Sequence, residues 1–168
     1  MPDSTAILTA LRDELVTEGL VRRATTAGAQ SSTPAPPPCH VEPIAPPAPG
    51  EREGDEDDAT LAVSLRLSST FGELPFDSYR RRVVIDVVYR SKTTDGLKRA
   101  RALDAAIAEA IVNRPDYGQG WVMGSGGSSG SPVFVLSSSI YGGLGPVSRD
   151  ASQGATDVAK YLFEVKAD

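Results

Sequence analysis

The sequence predicts an α+β fold: a two-layer, mainly antiparallel sheet with two helices packed on one face. Three observations predict it. Two stretches carry apolar residues at helical spacing, about five carry them at alternate positions, and the connections are rich in Gly, Pro, Ser and Asp. Segments with one apolar face each are buried most simply by laying helices against a sheet.

The first helix is expected over 4–18. Asp3 or Ser4 can cap it, Ile7, Leu8, Leu11 and Leu15 share one face, and Gly19 stops it. Arg12, Asp13, Glu14 and Glu18 then fall mostly toward water. Over 25–58 the composition shifts to Ala, Ser, Thr and Pro and ends in the acidic run Glu51 to Asp58. Proline lacks an N–H and favours an extended chain, so this stretch reads as a Pro-rich and acidic insertion or arm, not as a central strand or a helix. The chain otherwise reads as a single domain over 1–168.

A strand is expected over 60–67, where Leu61, Val63, Leu65 and Leu67 face one way. Its opposite face, with Thr60, Ala62, Ser64 and Arg66, and those of the other strands read as polar without strong charge. The next strand, 81–90, places Val83, Ile85, Val87 and Tyr89 together and is close enough to pair antiparallel with the first. Thr93, Thr94 or Asp95 can cap a second helix with a stripe of Leu97, Ala100, Leu103, Ile107, Ala110 and Ile111, ended by Pro115 and Gly118. A short strand near 120–123, a glycine loop over 124–130, a strand over 131–141, a turn-rich stretch over 142–154 and a final strand over 158–166 complete the expectation.

The inventory of chemical side chains is thin. With one His and one Cys among 168 residues, there is no partner for an intrachain disulfide and no convincing set of metal ligands. Cys39-His40 beside Asp55 to Asp58 is weighed as a metal site and set aside, for want of a second Cys or His. The loop Gly124 to Gly130, including Gly126, Gly127 and Ser128, lacks the Lys-Ser or Lys-Thr ending and the following helix of a phosphate loop. Ser128 and Ser129 have no histidine base nearby. No enzyme, metal or cofactor is expected.

A net charge of −5 offers no basic stripe by composition, which disfavours stable, sequence-independent DNA binding. The run Arg80 to Arg82 is considered as a phosphate contact and read instead as charge flanking an edge strand. No stretch has the ~18–20 apolar residues of a membrane span, and the N-terminal residues do not resemble a secretory signal, so cytoplasmic production is the default. Candidate interface residues are Pro36, Pro37 and Pro38, which can dock on an aromatic groove or pack on their own subunit, together with Glu51, Asp55, Asp57 and the 126–128 loop.

The order of elements carries a resemblance. A helix over 4–18, a strand pair ending at Val83 to Arg90, a helix opening at Thr93 to Leu97, a turn over Pro146 to Gly154 and a closing strand from Lys160 to Val165 resemble the tail terminator proteins of long-tailed bacteriophages. The related small neck and minor capsid proteins look similar, and the Ala, Arg and Pro-rich style suggests an actinobacterial host. The resemblance covers about two thirds of the chain, rests on pattern and not on an invariant motif, and leaves the 25–58 insertion unexplained.

It implies a structural virion protein, assembled in the host cytoplasm and located in the tail or neck. Such a protein forms a homohexameric ring that caps the tail tube protein, stops its polymerisation and joins it to the head-side connector protein while DNA passes through. Another connector, such as a stopper or adaptor, and a small binding module using the Pro-rich arm are the alternatives.

Overall fold

The computed structural model describes residues 4–23, 36–41, 61–71, 80–91, 94–114, 119–125, 132–150 and 154–166. The fold is α+β, with two helices and a mixed, curled seven-stranded sheet. In chain order the elements are α1 (Ser4–Thr17), β1 (Arg22–Arg23), β2 (Pro38–Val41), β3 (Leu61–Phe71), β4 (Arg80–Ser91), α2 (Thr94–Ile111), β5 (Trp121–Met123), β6 (Val133–Asp150) and β7 (Gly154–Lys166). The strand order is β1-β2-β3-β4-β7-β6-β5. Pairing is parallel from β1 through β2 to β3 and antiparallel elsewhere.

α1 ends as its sequence dictates. Gly19 adopts φ +74°, Leu20 N–H donates to Leu15 O at 3.0 Å and Gly19 N–H to Val16 O at 3.0 Å. That pair of bonds satisfies two carbonyls that the helix end leaves without partners. Ile7, Leu8, Leu11 and Leu15 are buried as expected, but so are Asp13 and Glu14, which the sequence reading had placed toward water. Their carboxylates are held by bonds with distant residues. Asp13 Oδ1 accepts from Arg23 Nη2 at 3.1 Å. Glu14 Oε1 accepts from Arg114 Nη1 at 3.2 Å, and Glu14 Oε2 from the Gly124 N–H at 3.1 Å. Gly124 is required there: it has φ +80°, and a Cβ would lie 2.9 Å from the Ala10 Cα of α1.

The strands β3, β4 and β7 follow the expected alternation. Leu61, Val63 and Leu65, then Val83, Ile85, Val87 and Tyr89, then Ala159, Tyr161, Phe163 and Val165 join Ile7, Leu11 and Leu15 of α1 and Ala100, Ile107 and Ile111 of α2 in one apolar cluster. Fully burying one such side chain contributes about 1.5–3 kcal/mol. α2 is tied to the sheet by polar bonds as well. Tyr89 and Tyr161 both donate to Asp104 Oδ1, at 2.9 and 2.7 Å, and Ser138 of β6 donates to the Ile111 carbonyl at 2.7 Å. Burial foremost, and then the neighbouring Asp104 carboxylate, push both phenols above their ordinary value.

Two further expectations are corrected. Part of the proline-rich stretch forms β2, which lies between β1 and β3; Pro38 is its first residue, where proline is tolerated in a sheet. Cys39 is therefore a core residue, and burial raises its thiol to about 12 even with Arg12 acting in the opposite direction. The stretch 142–154 is strand for most of its length. β6 and β7 continue to Asp150 and from Gly154, and the glycines that suggested turns sit among register shifts at Ile140/Gly142 and Gly142/Gly145.

Candidate interaction surfaces

Two parts of the sheet present side chains outward in a way the core does not require. The first is the outer side of β6. Among the described residues, β5 pairs with β6 only at Val133, Phe134 and Val135, while the strand runs on to Asp150. From Val133 to Ser148 no side chain is charged. Several of its apolar residues stand in water: Ile140 is 54% and Val147 67% exposed, with Tyr141 and Phe134 also exposed. Soluble proteins usually guard such an edge with Lys, Glu or a covering element. This strand has Pro146 and its register shifts but no charge before Arg149.

The second is the sheet face opposite to the Val83, Ile85 and Val87 side chains. Register places Arg66 of β3, Asp86 of β4 and Lys160 of β7 side by side. Arg66 Nη2 donates to Asp86 Oδ2 at 2.8 Å and its Nε to the same oxygen at 3.1 Å, while Lys160 Nζ donates to Asp86 Oδ1 at 2.7 Å. Burial alone would raise the Asp86 carboxyl, but hydrogen bonds and charge from Lys160 and Arg66 outweigh it and hold it below its ordinary 3.8. Along the same face, Arg80 and Arg82 lie 3.1 and 3.6 Å from Glu164. This face is charged, contrary to its sequence reading as polar without strong charge. Arg80 to Arg82 open a strand that lies between β3 and β7, not one at an edge.

The interface candidates fall unevenly. Pro36 is exposed, whereas Pro37 and Pro38 are buried in their own chain, and the Pro37 carbonyl accepts the Arg22 N–H at 3.0 Å. Glu51, Asp55, Asp57, Gly126, Gly127 and Ser128 lie outside the described residues. Sequence reading missed both surfaces above. Uncharged composition over 133–148 was a usable signal for the first; the second depends on pairing across the sheet.

Among the described residues, no group of three or more His, Cys, Asp or Glu side chains could hold a metal ion, and no helix is long and apolar enough to cross a membrane. Neither the models of known protein families nor the curated proteins contain a match to this chain.

Proposed function

We propose that this protein is a non-enzymatic assembly protein, a tail terminator of a long-tailed bacteriophage of an actinobacterial host. In this reading its two helices back one face of a two-layer, mainly antiparallel sheet. Copies join into a homohexameric ring that caps the tail tube, stops its growth and meets the head-side connector while DNA passes through. It assembles in the host cytoplasm and ends in the virion. The observation that carries the assembly reading is the uncharged outer edge of β6 with Ile140 and Val147 exposed.

A strand edge of this kind accepts another strand by backbone hydrogen bonds, and without charge it raises no electrostatic barrier to a different edge of the next copy. Identical head-to-tail contacts close into a ring whenever the rotation between neighbours divides the circle, so a small subunit can terminate a long tube. The order of helix, strand pair, helix and closing aromatic strand, which carries the resemblance, supports the narrower assignment.

Mass measurement by light scattering, with and without tail tube protein, tests this. A ring-sized particle that binds tube ends is expected; a strict monomer that ignores them would sink the proposal. Another head-to-tail connector differs only in where it sits, and imaging of assembled particles decides between the two.

A further inference from the structure

On one face of the sheet, two carboxylates each hold two cations. Asp86, with 3% of its side chain exposed, lies beneath Arg66 and Lys160, whose side chains are 47% and 39% exposed. Glu164, 15% exposed, lies beneath Arg80 and Arg82, 58% and 53% exposed. In both sets the anion is sunk and the cations reach outward, and in the Asp86 set two positive groups meet one negative group and sum to +1. Arg82 and Asp86 are on the same side of β4, four residues apart, or about 13 Å at ~3.3 Å per residue. The Asp86 set is opposite in sign to the chain as a whole, whose net charge is −5. These two carboxylates also hold the cations in place, which lowers the entropy that a ligand must overcome to order them.

We infer that this face binds the phosphodiester backbone of nucleic acid, weakly and without regard to sequence. Three of the four cations are Arg, whose planar fork matches a phosphate better than a point charge does. Contacts to phosphate position a duplex but read no bases. Arg82 and Lys160 each set on one phosphate predict a shallow salt dependence, with a log–log slope of about −2. Such a contact holds a sliding duplex loosely, and its effect multiplies with the number of copies arranged around the strand. The inference rests on the connector reading for the source of the nucleic acid, but not for the binding itself.

Fluorescence anisotropy of a labelled random-sequence DNA duplex, titrated with the full chain over a range of NaCl, is the test. Binding at low ionic strength is expected, and Arg82→Gln and Lys160→Gln should each flatten the slope by about 1. Lys160→Arg should keep it, and so should Arg101→Gln on the exposed side of α2. Circular dichroism confirms that each variant is folded, and Arg66→Gln, which removes another of the four cations, replaces any that is not.

Failure to bind duplex at low salt overturns the inference, as does binding that the Arg82→Gln/Lys160→Gln double variant leaves unchanged. Equal competition by poly-glutamate overturns the assignment to nucleic acid. Light scattering on the same samples separates the two readings: a monomer that binds through these residues removes the ring and keeps this inference, and a ring that ignores duplex does the reverse.

Discussion

The outer edge of β6 and the charged face of β3, β4 and β7 belong to one sheet, yet they are built on opposite terms. The edge carries no charge from Val133 to Ser148 and leaves Ile140 and Val147 in water. The face sets four cations over two sunken carboxylates. An apolar edge gains by excluding water permanently, which suits a neighbour that never leaves. Exposed charges keep most of their hydration and respond to salt, which suits a contact that must be made and released. On the proposals above, the difference suits a fixed partner at one region and a passing one at the other.

The largest expected effect comes from charging the edge. Ile140→Lys combined with Val147→Lys should abolish assembly by light scattering, while unfolding in urea shifts by no more than about 0.5 kcal/mol per site, because neither side chain is part of the core. Assembly that survives the pair would leave the edge without its proposed role.

Asp86→Ala comes next. It removes charged hydrogen bonds from both Arg66 and Lys160 and should cost about 1.5–3 kcal/mol in urea unfolding without changing the oligomer. A change in particle mass would mean that the two regions are not independent.

The same carboxylate predicts a pH effect. Its folded value is depressed, so its contribution is complete above the ordinary 3.8 and is lost as pH falls below that and through the lower folded value. Stability of the unaltered protein should therefore drop on that acid limb more steeply than that of Asp86→Ala, as read from urea midpoints at successive pH values. Parallel limbs would show that Asp86 is not the group responsible. Smallest of all, Arg82→Gln should alter stability by less than about 0.5 kcal/mol, since its head group is exposed and sits 3.6 Å from Glu164. A larger loss in thermal unfolding would move Arg82 from the passing contact to the structural frame.

The parts of the fold legible in the sequence are those fixed by short-range periodicity. Val83, Ile85, Val87 and Tyr89 announce β4, and Ala159, Tyr161, Phe163 and Val165 announce β7, because every second residue must enter the core. α2 is equally legible, with Lys98, Arg99, Arg101 and Glu109 all exposed as expected. What failed was long-range or locally contradictory. β2 is hidden by prolines, since a strand beginning at Pro38 is allowed only by what lies beside it. The far half of β6 is hidden by Gly142, Gly143, Gly145 and Pro146, which signal a turn unless a paired β7 absorbs the register shifts. Asp13 and Glu14 looked solvated because Arg23, Arg114 and Gly124, which hold them, arrive from elsewhere in the chain. The charged face is the extreme case: Asp86 meets Arg66 across 20 positions and Lys160 across 74, a juxtaposition that net charge conceals.

The tie at Glu14 reaches one residue further. Arg114, which it binds, also stacks over Trp121, its guanidinium carbon 4.1 Å from the ring centroid. Trp121 is the only tryptophan in the chain, is nearly buried, and sits on β5, the strand that covers the start of β6. Its fluorescence is therefore a built-in optical gauge of that corner. Emission colour and quenching should register any loosening where α1, the end of α2 and the β5–β6 pair meet, so the same sample can report its own integrity during the light-scattering test without a label.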